Sequence, residues 1–209
     1  MHIKHRIFGA DRPNYHHGNL KDALIDAARE LVAERGPAGF TLAEAAKRVG
    51  VTGAAPYRHF ADRAALMEEL ALRGFAMFDA AQKAAWQNGQ PDAVTAFRRM
   101  GAAYLGFCKT EPALYAAMFG TQQPQDSPAA NASFETLLMA TVAVLAQYDV
   151  PAGGAAALAS RIWALSHGVA MLAMNKFLTP ERLGCDPAQI QDSAVSGLIE
   201  IAVRRARGG

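Results

Sequence analysis

From Leu20 onward the apolar residues of this 209-residue chain fall at helical spacing, punctuated by caps and breakers. Leu20, Leu24, Ala27, Ala28, Leu31 and Val32 follow the i, i+4, i+7, i+8 pattern of one helix face. Asn19 is placed to cap that helix, Asp22 sits in its first turn where the dipole favours negative charge, and Gly36-Pro37 stops it. Thr41-Leu-Ala-Glu44 reads as a capping box: the threonine oxygen accepts from a first-turn amide and the glutamate reaches back. The short helix it opens turns Leu42, Ala45, Ala46 and Val49 inward and ends at Gly50. Thr52 is placed to cap a third short helix running to about Phe60. Asp62 is placed to cap a longer one, with Leu66, Leu70, Phe75 and Phe78 on its apolar side. Further helices are expected over 92–110, 113–119, 133–148, 153–178 and 187–205, about nine in all, with the polar, Pro-bearing stretch 121–132 as an exposed loop. β-Branched runs are short, and Asn88-Gly89 separates two helical patterns, so the fold class expected is all-α.

Composition narrows the class. With 51% hydrophobic and 19% charged residues the chain is too apolar for disorder and long enough for a substantial core. No contiguous apolar run reaches the roughly 18 residues that span a bilayer, and the polar start MHIKHRIFGADRP does not resemble a signal peptide. A cytoplasmic protein with no membrane partner is expected. Cys108 and Cys185 are too few for a disulfide framework. The net charge of +2 argues against a nucleic-acid partner until it is resolved by segment. Residues 1–60 hold nine Lys/Arg against six Asp/Glu, whereas the remainder holds twelve against thirteen. Four of the six histidines, His2, His5, His16 and His17, also lie at the amino end. A basic head joined to a near-neutral body suggests a division of labour; ordinary surface fluctuation gives the same figures.

Thr41–Phe60 carries the most chemistry. Two short helices joined by Gly50-Val51-Thr52 have the dimensions of a helix-turn-helix, with Val51 as an apolar peg. Gly53, Ala54 and Ala55 keep the amino end of the second helix thin, so that it can approach a surface closely. Tyr57 and His59 can donate hydrogen bonds to phosphates, and Phe60 anchors the end in the core. With few side-chain donors in its first turn, base reading is left to alanine contacts with thymine methyls, to Thr52 or Arg58, and to DNA shape. Pro56, at the fourth helical position, is tolerable there with local distortion. Two connecting helices in an all-α core would show the same pattern.

Residues 16–78 resemble the DNA-binding domain of the TetR family of transcriptional regulators. The likeness is strongest over Gly50-Val-Thr-Gly-Ala-Ala-Pro-Tyr-Arg-His-Phe60 followed by Asp62-Arg63 and Leu66. The resemblance implies phosphate contacts from Tyr57, His59 and Arg63, the last beside a helix amino end where amides also converge. The chain departs from the commonest family pattern at Ala54-Ala55, where a glycine-threonine pair is usual, and at Pro56, where leucine is usual. The DNA-contacting residues expected are Thr41, Thr52, Gly53, Ala54, Ala55, Tyr57, Arg58, His59 and Arg63.

The body resembles the family less specifically. Trp163-x-x-x-His167-Gly168 is similar to the Trp-His-Gly signature of one class of TetR C-terminal domains, and Glu111–Phe119 to the segment that precedes it. Trp163 and His167 share a helical face, where core packing and a polar anchor in an effector cavity are both open readings. Met100, Met139 and Met174, like Met118 and Met171, suit either an adaptable pocket or simple core. The ligand-binding residues expected are Phe107, Met118, Phe119, Trp163, His167 and Met171. His16-His17 lacks metal-ligand spacing, so no metal site and no cofactor are expected; a basic arm toward DNA suits it better.

What the resemblance implies is an N-terminal three-helix DNA-binding domain (14–75) and a C-terminal effector-binding and dimerisation domain (76–209). The partners implied are a palindromic double-stranded operator, a small apolar effector and a second copy of the chain. The copies would pair through the last two long helices, whose Gly168, Ala170, Ala173, Ser196 and Gly197 permit close packing. The function implied is a repressor released from its operator by the effector. The alternative is an all-α small-molecule-binding protein or enzyme whose N-terminal hairpin is only structural. No catalytic residue is expected, because the chain offers no nucleophile elbow or phosphate loop, and Ser166 and His167 lie on different helix faces.

Overall fold

The computed structural model describes residues 20–120 and 127–208, and no strand occurs among them. The helices are α1 (Leu20–Arg35), α2 (Leu42–Arg48), α3 (Arg63–Trp86), α4 (Ala93–Thr110), α5 (Pro112–Met118), α6 (Pro128–Gln147), α7 (Ala155–Met174), α8 (Pro180–Leu183) and α9 (Pro187–Arg207). Single 3-10 turns occupy Ala55–Arg58, Gln87–Gly89 and Ala152–Gly154. Two of the expected caps, Thr41 and Asp62, form. Glu44 N donates to Thr41 Oγ1 at 3.2 Å while Thr41 N donates to Glu44 Oε2 at 2.8 Å. Asp62 accepts from Ala65 N at 2.9 Å and Asp92 from Thr95 N at 3.0 Å. Gly50 closes the turn after α2 with φ +76°, a conformation a side chain would strain.

The long α3 is the spine, packed against α1, α4, α5 and α6, while α7 lies on α6 and α9. One core cluster joins Leu24, Leu31, Phe40, Leu42 and Phe60 to Leu66, Leu70 and Phe75 of α3 and on to Tyr104, Leu114, Tyr115 and Met118. Each large side chain fully withdrawn from water there contributes about 1.5–3 kcal/mol of transfer free energy. A second cluster gathers Trp86, Phe97, Met100, Val144, Leu158, Ile162, Ile199 and Val203 around the far end. The head is therefore not a detached bead: α3 runs unbroken across position 75, and α1 also packs on α5.

Several expected boundaries move. The third short helix is only the 3-10 turn Ala55–Arg58, and Thr52 does not cap it. Pro56 is the cause. The α-helical bond to Thr52 O requires an amide at position 56, which proline lacks, so Ala55 N takes that carbonyl at 3.0 Å in the tighter pattern. Residues 128–132 are helix rather than loop, because Ser127 caps α6 and Pro128 occupies its first position; residues 121–126, Asn19 and the histidine-bearing arm lie outside the described residues. Helix α7 ends at Met174, where the Asn175 side chain caps Met171 O at 2.8 Å and Lys176 takes φ +59°. The short α8 is a further turn that the apolar spacing does not announce.

Against the expectation drawn from contiguous runs, α6 and α7 are each long and apolar enough to cross a membrane by length and composition. Among the interruptions in α6, besides Asn131 and Glu135, are Ser133, Thr136 and Thr141, whose hydroxyls bond the carbonyls of Ala129, Ala132 and Leu137 one turn back. Such residues break an apolar run without lowering its average much. Both helices are packed into the body, α6 on α3, α4 and α7, and α7 on α9.

Candidate nucleic-acid interface and ligand cavity

In the turn after α2, Pro56 and Phe60 face the core while Thr52, Gly53, Ala54, Tyr57, Arg58 and His59 are exposed and Ala55 is half-buried. Tyr57 is 60% exposed, an unusual cost for an aromatic ring unless something else covers it. The backbone is held from both sides, by Val51 N donating to Ala46 O at 3.0 Å and Phe60 N donating to Pro56 O at 3.0 Å. The result is a short rigid ridge with small residues at its tip and hydrogen-bonding groups on its flank. Thr41 stands exposed at the amino end of α2.

Most cations of the head are already engaged. Arg48 forks onto Glu34 at 2.7 and 2.8 Å and also reaches Glu30 at 3.2 Å, which holds the Glu34 carboxyl below the usual carboxylate range. The Thr41 amide, and then Arg35 at 2.8 Å, do the same for Glu44. Arg29 pairs with Glu111, Arg73 with Asp22, and Lys21 with Glu69 at 2.9 Å. Arg63 donates to the Pro37 carbonyl and lies 5.6 Å from the Phe40 ring centroid. The side chains of Lys47 and Arg58 have neither an ion pair nor a hydrogen bond among the described residues; the Lys47 carbonyl accepts from Gly50 N. Both are exposed, beside the ridge and on it. Lys47 enters the sequence reading only as one charge in a sum; its freedom depends on where the acids of α1 point.

Between α3, α4, α5, α6, α7 and α9 lies a cavity of about 750 Å³. Phe75, Phe78, Phe97, Met100, Met118, Phe119, Phe134 and Trp163 are large apolar members of its wall. Gln82, Ser166 and Gln191 are buried polar members of the wall, and Arg98 and Asp192 form an ion pair of 3.3 Å at its edge. That combination of apolar walls and a few fixed polar groups, at this volume, is the composition of a small-molecule site.

Beside the cavity runs a polar chain. Tyr115 OH stands 3.0 Å from Tyr104 OH and 2.6 Å from Nδ1 of His167. Burial lowers the His167 pKa below that of a free imidazole, so the ring is neutral at pH 7 and its Nδ1 shares one hydrogen bond with the Tyr115 hydroxyl. Burial likewise pushes the neighbouring Cys108 thiol up to about 12, an inert sulfur.

Two family models match the chain: "Bacterial regulatory proteins, tetR family" over residues 24–70 and "Tetracyclin repressor-like, C-terminal domain" over residues 97–198. The chain belongs to the TetR family. The first match spans the exposed ridge and the second most of the cavity helices from α4 onward, together well over half of the sequence. Among solved structures, a Rhodococcus sp. RHA1 protein of unknown function is similar at 28% identity, covering 92% of this chain and 100% of its own, with a TM-score of 0.77. The TetR family transcriptional regulator PfmR from Thermus thermophilus shares the fold at 15% identity and TM-score 0.64, covering 85% of this chain and 97% of its own. A TetR variant from Acinetobacter baumannii in complex with minocycline does so at 18% identity and TM-score 0.64, covering 89% and 97%. No curated protein sequence is a significant match.

Within this TetR-family chain the expected ligand residues divide. Met118, Phe119 and Trp163 line the cavity. Phe107, His167 and Met171 do not: Phe107 is buried against Phe78 with ring centroids 5.4 Å apart, Met171 is exposed, and His167 faces Tyr115. His167 stands behind the wall, its ring 4.7 Å from that of Phe119. Of the other methionines, Met100 lines the cavity and Met139 is exposed. Sequence reasoning missed Gln82 and Gln191. The signal was there, since Gln191 precedes Val195, Ile199 and Val203 at steps of four, the polar member of a buried stripe.

Proposed function

We propose that this TetR-family chain is a dimeric repressor that grips a palindromic operator with the ridge 52–59 and releases it when a small apolar molecule fills the body cavity. The exposure of Tyr57, Arg58 and His59 on a backbone anchored by Pro56 and Phe60 carries the reading, because it offers phosphate donors on a rigid support. Thr41, Thr52, Gly53, Ala54, Ala55 and Arg63 complete the contact surface, with Lys47 beside it; Arg63 must exchange its Pro37 carbonyl for a phosphate. In functional terms residues 14–75 are the DNA-binding head and 76–209 the effector and dimer body. The location this implies is the cytoplasm.

Dimerisation falls to α7 and α9, where Met171, Leu172 and Ile201 are exposed apolar residues. Ala170 is buried in the protomer's own core and Ser196 lines the cavity, so Gly168, Ala173 and Gly197 remain as the small residues for close approach. Two ridges then meet successive major grooves when about 34–36 Å apart. An effector need shift that spacing by only about 1–3 kcal/mol of coupling to release the operator.

Selecting genomic fragments on the full-length chain and sequencing them tests the reading. A recovered palindrome with half-sites about one helical turn apart is expected. Fragments enriched without any shared palindrome would sink it.

A further inference from the structure

We propose that the effector is a neutral molecule with an apolar body and one hydroxyl or N–H donor, which Gln191 accepts. This rests on the reading of the cavity as the effector site and deepens it. Gln191 is only 4% exposed and lines the cavity from α9. Its Nε2 donates to Gly101 O at 3.1 Å, and a Cβ on Gly101 would stand 3.0 Å from that nitrogen, so the bare glycine gives the amide its seat. With Nε2 spent on α4, the amide orientation is fixed. Its Oε1 is then a buried acceptor with no hydrogen-bond partner, an arrangement native interiors rarely tolerate without a use.

Charge and shape narrow the class. Arg98 and Asp192 at the cavity edge pair with each other, so the site offers no uncompensated charge to an ion. Gln82, in the wall from α3, also spends its Nε2 on α4, at Met100 O and 3.3 Å. A carboxylate or an ether would set oxygen lone pairs against Gln191 Oε1, whereas a hydroxyl satisfies it. Phe78, Phe119 and Trp163 hold the apolar remainder.

Titration calorimetry of the full-length chain with para-hydroxybiphenyl, para-methoxybiphenyl and biphenyl para-carboxylate tests this. The hydroxyl probe is expected to bind about tenfold tighter than the other two, the size of one buried neutral hydrogen bond. Gln191→Met should bring it down to the level of the methoxy probe. Equal affinity of hydroxyl and methoxy probes, a carboxylate that binds tightest, or a gap that survives Gln191→Met overturns the proposal. The wild-type comparison needs no variant and stands even if Gln191→Met does not fold. Trp163→Ala separates the two readings. Probes that bind equally but weaken in Trp163→Ala remove the donor rule and leave the cavity. Probes indifferent to Trp163→Ala, or no binding by any of the three, remove the cavity as effector site and the proposal with it.

Discussion

The Tyr115 hydroxyl lies 2.6 Å from Nδ1 of His167, 52 residues further along the chain. One partner belongs to α5, which packs on α1 of the head; the other belongs to α7, on the proposed dimer face. Phe119, whose ring meets that of His167 edge-on at 4.7 Å and lies tilted 6.4 Å from that of Trp163, sets the cavity wall against this link. A ligand that displaces Phe119 thus pushes on the contact between head support and dimer helix. The link is a physical candidate for the coupling that ligand-induced release needs.

Removing the Tyr115 hydroxyl leaves the half-buried ring nitrogen and the buried Tyr104 hydroxyl with only their long contact to each other, at 3.5 Å. Tyr115→Phe is therefore expected to lower the free energy of unfolding by about 1–3 kcal/mol. Urea denaturation checks it.

The same histidine makes stability depend on pH. Its folded-state pKa lies below the unfolded value because burial penalises the imidazolium. Below about pH 6.5 the unfolded chain binds a proton that the folded chain refuses. Stability from this group is full above that pH, falls as pH drops below it, and levels once the folded ring itself is protonated. In denaturation series run between pH 7.5 and 5, His167→Phe is expected to lose less stability on acidification than the wild type. Equal losses would assign the dependence to other groups.

Two glycines inside helices should answer alanine in opposite senses. Gly106, exposed on α4, has open space where a Cβ would stand, so Gly106→Ala is expected to stabilise by about 0.5–1 kcal/mol. Gly74 lets α3 approach α5, and a Cβ there would lie 2.8 Å from Cγ of Met118 and 3.3 Å from Leu114 O. Gly74→Ala is expected to destabilise by about 1–2 kcal/mol, overpacking outweighing helix propensity. Thermal denaturation of the two variants beside the wild type compares them.

Caps, apolar faces and breakers made the helices legible because each is a local signal. Thr41-Glu44 and Asp62 cap as their spacing requires, and Leu24, Leu66 and Phe78 are buried as theirs does. The sequence misled where two local signals competed. At Pro56 the missing amide outweighed Thr52 as a cap, and at Ser127-Pro128 a proline that looked like a loop residue began a helix. The cavity was less legible because six helices, spread from α3 to α9, build it. Helical spacing put His167 on the face of Trp163, which the structure confirms, but Tyr115 captures the imidazole. Gln191 needed Gly101, 90 residues away, before its acceptor meant anything.

The central claim is that the ridge grips phosphates, and its most direct test is the salt dependence of binding to a selected operator fragment. Log affinity is expected to fall linearly with log salt, at about −0.9 per phosphate neutralised. Lys47→Ala and Arg58→Ala should each make the slope shallower by about one, because these side chains are unpaired among the described residues. Arg48→Ala should leave it unchanged, its guanidinium being held by Glu34 and Glu30. A slope near zero, or one that Lys47→Ala and Arg58→Ala do not alter, would contradict the account.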